Sequence, residues 1–151
     1  MKVLVQRSKQ SNVSVEEKIV GEIDFGLVLL VGFTHTDTLK EVKYLADKVL
    51  NLRIFDDENG VMNKSLLDVN GNILSISQFT LYADSEKGRR PSYANAMKGD
   101  NAISLYNQFN EILKQNVKVE TGLFGADMKV SITNDGPVTI LLQKENDYDK
   151  K

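Results

Sequence analysis

Apolar and polar positions along this chain alternate, run together and then take helical spacing, in an order that divides it into strands and two helices. Lys2 to Gln6 and Asn12 to Val15 alternate, which predicts strands, and Val20-Gly21-Glu22-Ile23 follows as a third. Leu27 to Gly32 is nearly all apolar, which predicts a strand buried on both faces. Thr38-Leu39-Lys40-Glu41 then has the spacing of a capping box. Behind it Val42, Leu45, Ala46, Val49 and Leu50 form one apolar stripe, so a helix facing a sheet is predicted, ending near Asn51. Leu52-Arg53-Ile54-Phe55 predicts a short strand, and Asp56 to Gly60 an acidic turn. That turn lacks the remaining ligands and the closing glutamate of a calcium loop. Met62 to Asp68 leads through the Asn70-Gly71 turn into the strand Ile73-Leu74-Ser75-Ile76. Asp100 is a fair N-cap for the second helix, whose buried stripe is Ala102, Ile103, Tyr106, Phe109 and Leu113. Lys118 to Thr121 predicts a strand, followed by the glycine-marked stretch Gly122 to Met128. Two closing strands, Lys129 to Thr133 and Val138 to Gln143, are joined by Asn134-Asp135-Gly136-Pro137.

About eight strands with two helices among them predict an α/β fold. The expected architecture is a single layered domain over residues 1–143, of largely antiparallel or mixed sheet, with both helices packed on one face. Barrel-like closure of the sheet is left open. Residues 144–151 are polar and predict a loose C-terminal tail.

Composition narrows the chemistry. At 151 residues, 41% hydrophobic and 26% charged, the chain suits one globular domain with a real core. No apolar run approaches a membrane span, and the N-terminus lacks the features of a signal peptide, so a cytoplasmic location is expected. The absence of cysteine excludes disulfides, thiolate nucleophiles and cysteine zinc sites. The single histidine, His35, would have to serve any Ser-His-Asp triad, and between two threonines before a helix it reads as a loop or cap residue. A net charge of −2 argues against a surface coated in nucleic acid, while leaving room for a local basic rim.

Candidate chemistry gathers in two places. After Ile76 come Ser77, Gln78 and Thr80, side chains able to hydrogen-bond where a structural strand would carry aliphatics. The basic loop Lys87-Gly88-Arg89-Arg90-Pro91-Ser92 follows closely. The pair reads either as a small-substrate pocket beside a phosphate-binding rim or as an edge strand with a solvated turn. The second place is Asn134-Asp135-Gly136-Pro137, which by residue type reads as a turn, although Pro137 and Pro91 are the only two prolines. Arg7, just past the first strand, reads as a surface strand-end charge.

Ser77-Gln78-Phe79-Thr80-Leu81 together with Asn134-Asp135-Gly136-Pro137-Val138-Thr139 resembles the signature pair of the D-aminoacyl-tRNA deacylases (D-tyrosyl-tRNA deacylases). Val5-Gln6-Arg7, Asn51 to Phe55, Lys87 to Ser92 and Gly125-Ala126-Asp127-Met128 resemble that family in order and spacing, so the likeness spans Met1 to Gln143. The resemblance implies hydrolysis of the ester between a D-amino acid and the terminal ribose of tRNA, with glycyl-tRNA also accepted to some degree. It implies a homodimer in which Gly136-Pro137 is a cis peptide reaching into the partner's Ser77-to-Leu81 pocket. There its backbone carbonyls would grip the α-amino group and crowd out an L side chain. Asn134 and Thr139 belong to the same substrate-binding segment, and Arg7 would brace it. Phe124 and Met128 would line the pocket for the terminal adenosine; by residue type alone they read as core. Lys87, Arg89 and Arg90 would meet tRNA phosphates.

For the chemical step, Thr80 is the nucleophile candidate, yet no base is identifiable for it. The favoured expectation is positioning: backbone N–H groups near Phe79 and Thr80 hold the oxyanion, the ribose 2′-hydroxyl helps the water, and Ser77, Gln78 and Thr80 shape and orient. No metal, cofactor or membrane enters. Two other classes stay open: a dimeric nucleic-acid-binding protein without hydrolysis, and a hydrolase of small D-amino-acid esters that does not need Lys87, Arg89 or Arg90.

Overall fold

The computed structural model describes residues 1–146. Its strands are β1 (Lys2–Ser8), β2 (Ser11–Val15), β3 (Lys18–Ile23), β4 (Gly26–Gly32), β5 (Phe55–Asp56), β6 (Met62–Lys64), β7 (Asn72–Ser77), β8 (Val119–Thr121), β9 (Lys129–Ser131) and β10 (Asn134–Gln143). Its helices are α1 (Leu39–Asn51), α2 (Leu66–Val69) and α3 (Gly99–Lys114), with a 3-10 turn at Phe79–Tyr82.

The main sheet has five strands in the order β10-β1-β4-β7-β8. β10, β1 and β4 are antiparallel, while β4, β7 and β8 run parallel. Each parallel step needs a crossover, and α1 and α3 supply them. Two crossovers stepping the same way along a sheet with the same hand place both helices on one face. Leu27, Leu29 and Val31 accordingly pack with Val42, Leu45, Val49, Phe109 and Leu113. The intervening Val28, with Leu74 and Ile76, faces Val13 and Ile23 of a three-stranded sheet ordered β3-β2-β9. β4 is thus buried on both faces, as its apolar run predicts. The architecture is layered and mixed, and the main sheet stays open, with β10 and β8 as edges, so no barrel closes.

α1 forms as its sequence predicts. Glu41 accepts from the Thr38 amide and hydroxyl, each at 2.7 Å. Burial pushes the Glu41 carboxyl up, but the Thr38 bonds outweigh it and hold the group below its ordinary value. Other expectations are corrected. α2, unforeseen, is a single turn nucleated by a second capping box between Ser65 and Asp68. Of the strand expected at Leu52 to Phe55 only Phe55 pairs, because the Leu52 N–H closes α1 on the Lys48 carbonyl. α3 takes Lys98 as its N-cap, leaving Asp100 in the first turn, where its charge suits the helix dipole. Asn134 to Pro137 is not a turn between strands but the start of β10, and the Gly136-Pro137 bond is cis.

The start of the expected tail is tied down. The Met1 ammonium donates to the Lys144 carbonyl at 2.9 Å, and Lys144 N–H returns a bond to the Met1 carbonyl. The remainder of that tail, residues 147–151, lies outside the described residues. The same ammonium pairs at 2.8 Å with Asp37, both side groups fully buried. Burial lowers the amine's pKa and raises that of the carboxyl. Asp37→Asn strands a buried cation and is expected to cost up to about 3–5 kcal/mol of stability in urea unfolding. That loss should shrink as pH rises and the amine sheds its proton; an equal loss at pH 6 and pH 9 would remove the ion pair as its cause.

Candidate active site

β7 ends at Ser77, one residue past the expected strand, and the chain turns at once into the 3-10 segment. Gly32 at the end of β4 makes this possible. A Cβ there would lie 2.8 Å from the Gln78 carbonyl and 3.2 Å from Leu81 Cβ, so only glycine lets the turn pack down. Gly32 is a site residue that the sequence reading missed, because nothing local marks it.

Beside this turn lies a cavity of about 260 Å³. Ser77, Gln78 and Phe79 form one wall, Gly32, Phe33, Met97 and Ala102 another, and Phe124, Gly125, Ala126 and Met128 a third. Phe124 is held by Tyr106, ring centroids 5.7 Å apart, and the Tyr106 hydroxyl is fixed by donating to the Ser75 carbonyl at 2.8 Å. Burial raises the pKa of that hydroxyl, so it stays protonated and holds the ring as a donor. None of the residues lining the cavity is ionisable.

Thr80 is exposed on the turn, outside that lining, and accepts a hydrogen bond from Gln78 Nε2. No base is bonded to it among the described residues. The Phe79 and Thr80 N–H groups open the 3-10 turn, where intrahelical acceptors do not exist, and neither has a backbone partner among the described residues. Phe79 lines the cavity and Thr80 follows it, and two such adjacent donors can receive an anionic oxygen. His35 is exposed and its Nε2 lies 2.6 Å from the Ala94 carbonyl, consistent with a loop residue. Lys87, Arg89 and Arg90 are exposed on the loop beyond the turn, closed by backbone bonds between Asp84 and Ser92.

The second polar cluster forms around β10. Arg7, read above as a surface charge, is only 8% exposed, because its guanidinium finds acceptors on three sides. It donates to the Asp135 carbonyl at 3.1 Å and the Ile54 carbonyl at 2.9 Å, and pairs with Asp56 at 3.4 Å. The Asp135 carbonyl directly precedes Gly136. Asn134 accepts from the Val138 N–H at 3.1 Å and donates to Thr139 Oγ1 at 2.8 Å. Gly136 and Pro137 are exposed at this end of the strand.

The two clusters do not meet within one chain. Val31 pairs with Ser77 and with Val3, and Val3 with Leu142, so Leu142 is the β10 residue level with Ser77. Three strand spacings separate them, about 14 Å, and Pro137 lies a further 17 Å or so back along β10.

Against known proteins, the family model described as D-Tyr-tRNA(Tyr) deacylase matches residues 4–143. The chain belongs to this family. Both clusters fall inside the matched span. D-aminoacyl-tRNA deacylases of Bacillus cytotoxicus and Bacillus cereus are 59% and 58% identical over 146 residues, 96% of this chain and 100% of each relative. A solved structure titled c-Myc DNA Unwinding Element Binding Protein is 40% identical, covers 97% of this chain and 100% of its own, and superposes with a TM-score of 0.91. A probable eukaryotic D-amino acid tRNA deacylase, 18% identical over 93% of this chain and 97% of its own, shares the fold with a TM-score of 0.81. Among the described residues, no helix of this deacylase-family chain is long and apolar enough to cross a membrane.

Proposed function

We propose that this chain hydrolyses the ester of D-aminoacyl-tRNA, and to some degree of glycyl-tRNA, as a homodimer whose Gly136-Pro137 segment completes the partner's cavity. The observation that carries the reading is a cavity without any ionisable lining residue, edged by the unpartnered Phe79 and Thr80 N–H groups. Such a site suits a reaction driven by position and oxyanion stabilisation rather than by a side-chain base. Water attacks the ester carbonyl carbon and the oxyanion settles on the two N–H groups. The ribose 2′-hydroxyl assists the water. The carbon–oxygen bond to the ribose then breaks, and the departing 3′-oxygen takes up a proton.

The separation of the two polar clusters supports the dimer: segments that far apart in one chain can share a site only across two copies. From the partner, the backbone around Gly136 and Pro137 accepts from the α-ammonium group and fills the space an L side chain would need. Main chain reads configuration without reading side-chain identity, so many D-amino acids fit, and glycine offers nothing to reject. Phe124 and Met128 take the terminal adenosine, Arg7, Asn134 and Thr139 hold the Gly136-Pro137 segment, and Lys87, Arg89 and Arg90 meet phosphates. Such an activity is a chiral proofreading step of translation, exercised in the cytoplasm.

The test charges one tRNA with D-tyrosine and with L-tyrosine and follows deacylation by the purified protein. Fast loss of the D-ester with the L-ester spared is expected. Equal cleavage of both would retire the filter, and loss no faster than in buffer would retire the enzyme. The name of the 40% identical neighbour favours one second reading, a nucleic-acid-binding protein using the exposed basic loop. Under that reading, binding to single-stranded DNA or RNA would survive loss of Thr80 and of Gly136-Pro137.

A further inference from the structure

At the mouth of the cavity two aromatic rings stand in the open. Phe79 is 43% and Tyr93 38% exposed, and the rings meet edge to face with centroids 5.3 Å apart. Single exposed aromatics are ordinary; a pair continuous with a cavity wall is not. Lys98 completes the group, its Nζ 4.9 Å from the Phe79 centroid and 5.7 Å from that of Tyr93. Among the described residues no carboxylate pairs with Lys98. Phe79 itself lines the cavity, as does Met97, the residue before Lys98.

We propose that Phe79, Tyr93 and Lys98 form a subsite for the nucleotide that precedes the acylated adenosine, the rings stacking its base and the ammonium pairing with the phosphate that joins the two. The inference rests on the deacylase reading and extends it by one nucleotide. The acceptor end of tRNA is single-stranded, so this base is free to stack on protein. Stacking on aromatic rings tolerates any base, and an adjoining cation to track the backbone is the usual complement. Lys98 is held over the rings only by a weak cation–π contact at an exposed site, so an arriving base displaces it readily. Its flexible stem then carries the charge toward the phosphate. The cavity offers the adenosine end no charged side chain, and the rim supplies one.

The experiment compares D-tyrosyl esters of adenosine and of the dinucleotide cytidylyl-adenosine, with D-tyrosyl-tRNA as reference. For the parent protein kcat/KM should be higher on the dinucleotide ester by about 5- to 100-fold, the range that stacking of one base supplies. Tyr93→Ala should bring that ratio close to one, and Tyr93→Phe should retain it. Lys98→Gln should lower the ratio and flatten its dependence on salt. A ratio near one in the parent, or unchanged in Tyr93→Ala, overturns the subsite while the deacylase reading stands. Cleavage of none of these substrates, the tRNA included, overturns both.

Discussion

Phe79→Pro is expected to lower kcat for D-tyrosyl-tRNA by about 10²–10³, while Phe79→Ala stays much closer to the parent. The contrast isolates one N–H. Phe79 is the first residue of the 3-10 turn, the position where proline is best tolerated because its missing N–H would have had no intrahelical acceptor. A 3-10 turn also asks for a φ of about −50 to −70°, which proline supplies. Gln78, at φ −147° and ψ 82°, already stands outside the helical region that proline disfavours in its predecessor. Alanine removes the ring but keeps the donor. Single-turnover rates on D-tyrosyl-tRNA, with thermal melting to verify the fold, decide the matter. Should both variants lose activity alike, the ring and not the N–H matters; full activity in the proline variant would remove the oxyanion donor from the mechanism.

Gly136→Ala is the second large effect, and it should fall on selectivity. Gly136 sits at φ +131°, a region that costs an L-residue about 1–3 kcal/mol. A Cβ built there lies 2.8 Å from Val138 Cγ2, 3.0 Å from the Val138 nitrogen and 3.2 Å from an Arg7 nitrogen. The segment must shift, and with it the backbone proposed to exclude L side chains. Because Gly136 and Pro137 are exposed at a strand end, the fold itself should survive. The ratio of D- to L-tyrosyl-tRNA kcat/KM is expected to fall by about tenfold or more, the rate equivalent of roughly 1.4 kcal/mol. An unchanged ratio in a folded variant would take the filter away from this segment.

Sequence legibility divided along a physical line. What depends on neighbours in the chain could be read: the Thr38–Glu41 capping box and its apolar stripe, the doubly buried run from Leu27, and the Asn70-Gly71 reversal into β7. What depends on packing could not. Asn134 to Pro137 has the composition of a turn, yet Arg7 and the Asn134 side chain hold it as the start of a strand. Arg7 looked like a surface charge because its acceptors, the Ile54 and Asp135 carbonyls, are remote in sequence. The cavity takes walls from β4, β7, the start of α3 and the stretch after β8, so Gly32 and Met97 carried no local mark. The motifs named the Ser77-to-Phe79 wall and Thr80 beside it, while the distance from there to Pro137 emerged only from strand order and register.

A cavity whose working groups are peptide N–H and carbonyl oxygens has a consequence for how its sequence can drift. Every amino acid except proline carries the same two groups, so the side chain at Phe79 or Thr80 can change over generations without discarding the donors. Loss of a donor requires distorting the main chain or introducing proline at that position. A scan that trims side chains one at a time would therefore leave the two donors themselves unreported, and would read out only the rings, hydroxyls and amides around them.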